Sequence, residues 1–205
     1  MITKFHKLFL VGLFAIALFN GCRQTEQVTK RYYVIEIPSR SVVNTDDTLN
    51  TINKYCEVRP VNISPPYASQ RIAIREDTHE IDYFSNHEWA IRPSNNLTSI
   101  IVDFFEKYNV FKGISTRYWK IMPDFQLETT IYHMQLVNRD NKLSAHLNLE
   151  LRLIDNQTDE LLLKHTADNY QELDKNNINL FAMAISEMFY KEIFSFSKII
   201  TSEIQ

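Results

Sequence analysis

Glycine is nearly missing from this chain, with 3 in 205 residues. Loops that cradle phosphates need several glycines, because only a residue without Cβ lets consecutive backbone N–H groups close around an anion. Nucleotide binding is thereby excluded. Cysteine is as scarce, with 2 residues, Cys22 and Cys56, so neither a disulfide framework nor a Cys-x-x-Cys redox motif can be built. Basic excess is also lacking: 22 Lys plus Arg stand against 25 Asp plus Glu, a net charge of −3. Nucleic acid, whose phosphates draw clustered positive charge, is not an expected partner.

Long hydrophobic runs are the last shortage. The N-terminal run from Leu8 to Phe19 falls short of the roughly 20 residues a bilayer span requires. Lys4 and Lys7 precede it, Asn20-Gly21-Cys22 breaks it, and the polar stretch Arg23 to Arg31 follows. That is the three-part layout of a secretory signal, and a retained membrane anchor is the weaker reading. A cysteine directly after a small residue, as in Gly21-Cys22 with Leu18-Phe19 before it, marks a lipoprotein signal, in which the thiol is alkylated before cleavage on its N-terminal side. Residues 1–21 are therefore read as a signal peptide and Cys22 as the lipidated residue. The alternative is a plain secreted protein cut nearby, with Cys22 an incidental thiol. Each acyl methylene contributes about 0.8 kcal/mol, so two or three chains make attachment stable. Arg23 stands where inner-membrane retention uses Asp, which favours the outer membrane with the domain facing the periplasm.

Removing 21 residues from 205 leaves 184, one domain's worth. Lys4 and Lys7 leave with the signal, so 20 basic groups face 25 acidic ones, a net charge of about −5. Residues 22–31 read as a lipidated cysteine and flexible tether, and residues 32–205 as the folded domain. With Cys22 lipidated, Cys56 has no intramolecular partner, and nothing around it resembles a catalytic thiol's base or elbow; it is read as a buried strand residue.

Along the domain, Tyr32–Ile37 reads as a strand ending at Pro38, and Tyr55–Ile63 as a strand near an edge or bulged at Pro60. The loop 39–50 between them is polar. Ser64-Pro65-Pro66-Tyr67 reads as a stiff extended link, followed by a hairpin of Arg71–Arg75 and Glu80–Phe84. From Ser94 to Val110, Leu97, Ile100, Ile101, Phe104, Phe105 and Tyr108 repeat at helical spacing, with Ser94 or Asn95 as cap. Phe125–Val137 and Leu143–Ile154 flank a turn at Asn138–Asn141. In the second, Leu143, Ala145, Leu147, Leu149, Leu151 and Leu153 alternate with Lys142, Ser144, His146, Asn148, Glu150 and Arg152, one face for a core and one for water or a polar partner. Glu160–Asn169 reads as a last strand and Ile178–Ile204 as a long amphipathic helix. The fold class is α/β or α+β: one domain, a mixed and mostly antiparallel sheet, and two principal helices.

Titratable residues do not converge. His79, His87, His133, His146 and His165 are scattered and read as solvated sheet histidines; His133 and His146 face one another only if the two long strands pair. Ligands at zinc-like spacing are missing, so no metal, cofactor or catalytic residue is expected. Asp77, Glu80 and Asp82 read as a polar hairpin rim. Trp89 and Arg92 fit a core plug and a loop-carbonyl partner, with partner binding the alternative. Tyr67, Arg71 and Arg75 are better interface candidates, since the double proline should expose a stiff loop and the two arginines share one side of a strand.

These features resemble, in order, the PqiC-type ABC-transport auxiliary lipoproteins. They are Tyr32-Tyr33-Val34 with Pro38, then Pro66-Tyr67 to Arg71-Ile72 and Arg75, and Tyr83 to Trp89-Ala90 before the helix. The start at Asp124–Leu127, the long alternating strand and the terminal helix complete them. The resemblance implies a non-catalytic periplasmic domain anchored in the outer membrane. It also implies assembly into a homo-oligomeric ring and docking onto an MCE-protein tunnel that moves lipid between membranes. Two other classes stay open: a structural or assembly lipoprotein of the envelope, and an envelope hydrolase, for which a nucleophile, base and orienting group would have to converge.

Overall fold

The computed structural model describes residues 29–38, 49–76, 79–118, 120–140, 142–174 and 177–204. The expected signal peptide, Cys22, the tether up to residue 28 and most of the 39–50 loop lie outside them. The strands are β1 Arg31–Tyr33, β2 Ile52–Val58, β3 Asn62–Ile63, β4 Arg71–Arg75, β5 Ile81–Trp89, β6 Phe111–Ser115, β7 Phe125–Arg139, β8 Lys142–Asp155 and β9 Leu161–Glu172. The helices are α1 Pro93–Lys107 and α2 Ile178–Glu203.

β7 is the axis of the sheet. Along one edge it pairs antiparallel with β8 from Phe125↔Asp155 to Arg139↔Lys142, and β8 pairs antiparallel with β9. Along its other edge it takes short parallel strands in series: β2 at Cys56↔Phe125, β3 at Asn62↔Thr130 and β4 at Ile74↔Leu136. β6 extends the sheet beyond β2, and β5 then β1 extend it beyond β4. The result is an α+β domain whose mixed sheet curls into a half-barrel, with its longest ladders antiparallel.

The helices cover one sheet face. α1 opens at Pro93, whose fixed φ suits the first helical position and forces Arg92 to extended backbone, φ −56° and ψ 126°. It stops where Asn109 turns left-handed at φ 48°. Its cap is therefore Arg92, which carries no side-chain capping bond, rather than Ser94 or Asn95; Ser94 Oγ donates instead to the Val61 carbonyl at 2.6 Å. α2 is capped by Asn177, whose side chain accepts from Asn179 N at 2.9 Å. Phe181, Ile185, Phe189, Ile193, Phe196 and Ile200 of α2 bury against Leu147, Leu149, Leu151 and Leu153 of β8 within one core. Each such side chain contributes about 1.5–3 kcal/mol of burial. No described helix is long and apolar enough to cross a membrane.

Several expectations change. The first strand stops at Tyr33 rather than Ile37, because its partner β5 ends at Trp89; beyond it Ile35 is in the core and its carbonyl accepts from Asn96 Nδ2 at 2.6 Å. Tyr55–Ile63 is two strands split at Arg59-Pro60-Val61, where proline has no N–H to give the ladder. The double proline does not form an extended link, and although Pro65 is exposed the turn does not expose Tyr67. Pro65–Tyr67 is a 3-10 turn closed by Tyr67 N donating to the Ser64 carbonyl, and Tyr67 is buried. β6 was not foreseen: FKGIS is too short to display a period.

Candidate functional site

The site grows from an irregularity in β7. Phe125, Leu127, Thr129 and Ile131 point to the core in strict alternation. The register then shifts between Ile131↔Leu149 and His133↔Asn148, so Tyr132 is an extra residue, exposed, and the alternation inverts. Met134 and Leu136 now face the core, while His133 and Gln135 face the opposite side. Bulges re-aim side chains in this way.

On that side Gln135 and His146 are buried, 2% and 3% exposed, although no helix covers them. Tyr67 roofs them from the 3-10 turn, its hydroxyl 2.8 Å from Gln135 Oε1. Arg75 Nε lies 3.2 Å from the same oxygen and Arg75 Nη2 lies 3.1 Å from the Tyr67 hydroxyl. Gln135 Nε2 is 3.1 Å from His146 Nδ1, and His146 Nε2 is 2.7 Å from Asp168 Oδ1. Donor bookkeeping assigns the protons. Arginine only donates, so the Tyr67 oxygen accepts from Arg75 and its O–H goes to Gln135 Oε1. With that oxygen the acceptor, Gln135 turns its amide N–H to His146 Nδ1. His146 is then neutral, protonated at Nε2, and donates to Asp168.

Stacking completes the cluster. His146 lies between His133, 5.0 Å between centroids, and Tyr170, 4.0 Å away with the two rings nearly parallel. Tyr67 meets His133 edge-on at 5.8 Å. Burial holds His146 below the ordinary histidine range and outweighs the bond to Asp168. His133 shifts down for the same reason, with Arg75 adding to it, and its buried Nδ1 has no hydrogen-bond partner among the described residues. The hydrogen bond from His146 holds the Asp168 carboxyl below its usual range. A neutral donor and an ionised acceptor are thus both favoured.

The expectation of solvated histidines is corrected: among these five only His79 is exposed. Tyr33 stacks on His87, and His165 Nε2 lies 2.7 Å from Glu192 Oε2. The strands do pair, which is what brings His133 and His146 together. Among the described residues no group of His, Cys, Asp and Glu is arranged to hold a metal. Of the interface candidates, Tyr67 and Trp89 are interior groups; Trp89 packs 5.7 Å from Phe181. Arg71 is exposed with its guanidinium 4.0 Å over the Tyr83 ring, whose hydroxyl donates to the Pro66 carbonyl. Arg75 is half-buried in the chain just described, and Arg92 is exposed at the start of α1. Tyr67 and Arg75 are in direct contact, and Arg71 pairs with Glu88 next to Trp89, whose backbone N–H donates to the Gln70 carbonyl at 2.7 Å. Asp77 of the acidic rim is outside the described residues; Glu80 and Asp82 are exposed. Cys56 is free and buried, its thiol pushed up by burial and by Glu57. Sequence reasoning missed Gln135, Asp168 and Tyr170, for which no local signal exists.

The family model of the ABC-type transport auxiliary lipoprotein component matches residues 33–191. Among solved structures, protein XCC0632 from Xanthomonas campestris superposes with TM-score 0.69 at 12% identity, over 85% of this chain and 96% of that one. An uncharacterised protein superposes with TM-score 0.65 at 14% identity, over 84% and 99%. The hypothetical protein CT253 from Chlamydia trachomatis gives TM-score 0.52 at 8% identity, over 74% and 98%. These establish the fold. No curated protein is similar at a significant level.

Proposed function

The chain belongs to the ABC-type transport auxiliary lipoprotein family, and from that premise we propose that it is the non-catalytic component of an MCE/ABC-type lipid transport system, docking a periplasmic lipid tunnel to the outer membrane. The observation that carries the reading is the match across residues 33–191, in a family auxiliary to transport rather than enzymatic. Cys22 anchors the domain by its acyl chains, and the polar run from Arg23 gives it reach. Homo-oligomerisation has its elements in the sheet, where β1, β6 and β9 each pair along one edge only among the described strands. Unlike edges joined head to tail close into a ring when the rotation permits. Among the partner-binding candidates, exposed Arg71 and Arg92 are the docking groups, while Arg75 is half-buried and Tyr67 and Trp89 are interior.

The test is purification of the chain from detergent-solubilised envelope. An MCE protein should co-purify, and light scattering should give a multiple of the chain mass. A monomeric mass with no MCE protein would overturn the reading. Cys22→Ser should abolish palmitate labelling and release the domain from the membrane fraction.

A further inference from the structure

The bond chain from Arg75 to Asp168 has no slack. Tyr67 and Gln135 each take and give in one direction, and that direction is set at the far end by Arg75 and at the near end by the bare Nδ1 of His146. We propose that His146 is a proton-operated latch: with its ring neutral it ties the Tyr67 turn to strand β9, and a proton on the ring releases the turn. The latch belongs to the domain itself and stands whether or not the domain docks a tunnel.

A second ring proton sits on Nδ1 and confronts the Gln135 amide N–H, donor against donor. Rotating that amide would offer Oε1 to His146, but it would take from the Tyr67 hydroxyl and Arg75 Nε the oxygen both now share. Either way the buried chain loses a bond, which costs more inside the protein than in water. The charges around the ring are unequal. From β9 it meets Asp168, which favours the proton, and the ring of Tyr170. Against the proton stand His133 and Arg139 from β7, with Arg75 from β4 behind Gln135 and Tyr67 from the turn. Burial adds to the opposition. His133 differs, because its buried Nδ1 makes no hydrogen bond among the described residues for a proton to break.

His146 is held below the ordinary value of 6.5 in the closed form, so the open form binds the proton more readily. The latch is then intact above that value and loses about tenfold in closing equilibrium per pH unit below it, until the closed form protonates too. Asp168 is shifted down as well, so its own contribution holds above the ordinary 3.8 and is lost only below it. The histidine's window therefore opens at higher pH than the aspartate's.

Hydrogen–deuterium exchange on the chain purified in detergent reads the latch, at about pH 7.5 and about pH 5.5 with times scaled for intrinsic exchange. Peptides spanning 64–70 and 131–136 should lose protection together as pH falls, while α2 peptides keep theirs. His133→Gln should retain this response and His146→Gln should abolish it. No change in the unaltered chain, or a response that persists in His146→Gln, would overturn the latch. Should His146→Gln fail to protect α2 at the higher pH, Tyr67→Phe decides: it cuts the chain without touching the imidazole. The 64–70 turn of that variant should no longer answer to pH, and a turn that still does would overturn the proposal.

Discussion

Strands β7 and β8 carry buried residues on both of their faces, held by opposite means. On the helix side, Leu147 of β8 is completely buried against α2; on the other side its neighbour His146 is 3% exposed, with no helix over it. The first face is held by area, which is non-directional and additive, so neighbouring side chains share any loss. The second is held by a chain of directional hydrogen bonds from Arg75 to Asp168, so the loss of Gln135 strands the groups on either side of it. Equal burial therefore conceals unequal rules. An apolar face keeps a domain folded, whereas a directional polar face responds to a single proton.

Phe189→Ala is the largest expected blow to the apolar side, about 3–5 kcal/mol for a fully buried ring. Urea unfolding should show the midpoint falling at unchanged slope, and alkylation of buried Cys56 should accelerate in parallel. Gln135→Leu tests the polar side. It keeps volume but leaves the Tyr67 hydroxyl and His146 Nδ1 without their bonds, for about 1–3 kcal/mol, and a loss under about 0.5 kcal/mol by the same melt would mean that the face is held by stacking alone. Lys142→Ala sharpens the contrast from below. Its 3.7 Å pair with Glu172 is 71% and 65% exposed, so the shift should stay within about 0.5 kcal/mol and vanish in high salt.

Much of the fold was legible. The alternation through Leu143–Ile154 predicts a strand with one core face, and the spacing in Ile178–Ile204 predicts a helix with one buried side; both are realised, as Lys142–Asp155 and Ile178–Glu203. These patterns are readable because a regular element facing one core imprints its own period. Where the period breaks, reading fails. Tyr132 carries no mark of a bulge, so the turn of His133 and Gln135 away from the helix-covered core was hidden, and with it the reason His146 is buried. Pro65-Pro66 is compatible with an extended link or a helical turn, and the choice was made by what Tyr67 has to cover.

Arg71 and Arg75 illustrate the same limit. Strand spacing puts them on one side, and the structure agrees, but spacing says nothing of depth: Arg71 lies over Tyr83 in reach of solvent, while Arg75 is half-buried on Gln135 and Tyr67. Charge reversal at Arg75, harmless on a free surface, sets an acceptor-only carboxylate against the Gln135 and Tyr67 oxygens that now accept from the guanidinium.

By itself the sequence determined the long helices and strands and which of their faces are apolar, because each is a local pattern of hydrophobicity. Only the tertiary structure decided that the polar face would close on itself. The donors and acceptors of Arg75, Tyr67, Gln135, His146 and Asp168 come from separate parts of the chain, and hydrogen bonds are matched by position in space, of which a one-dimensional period keeps no record.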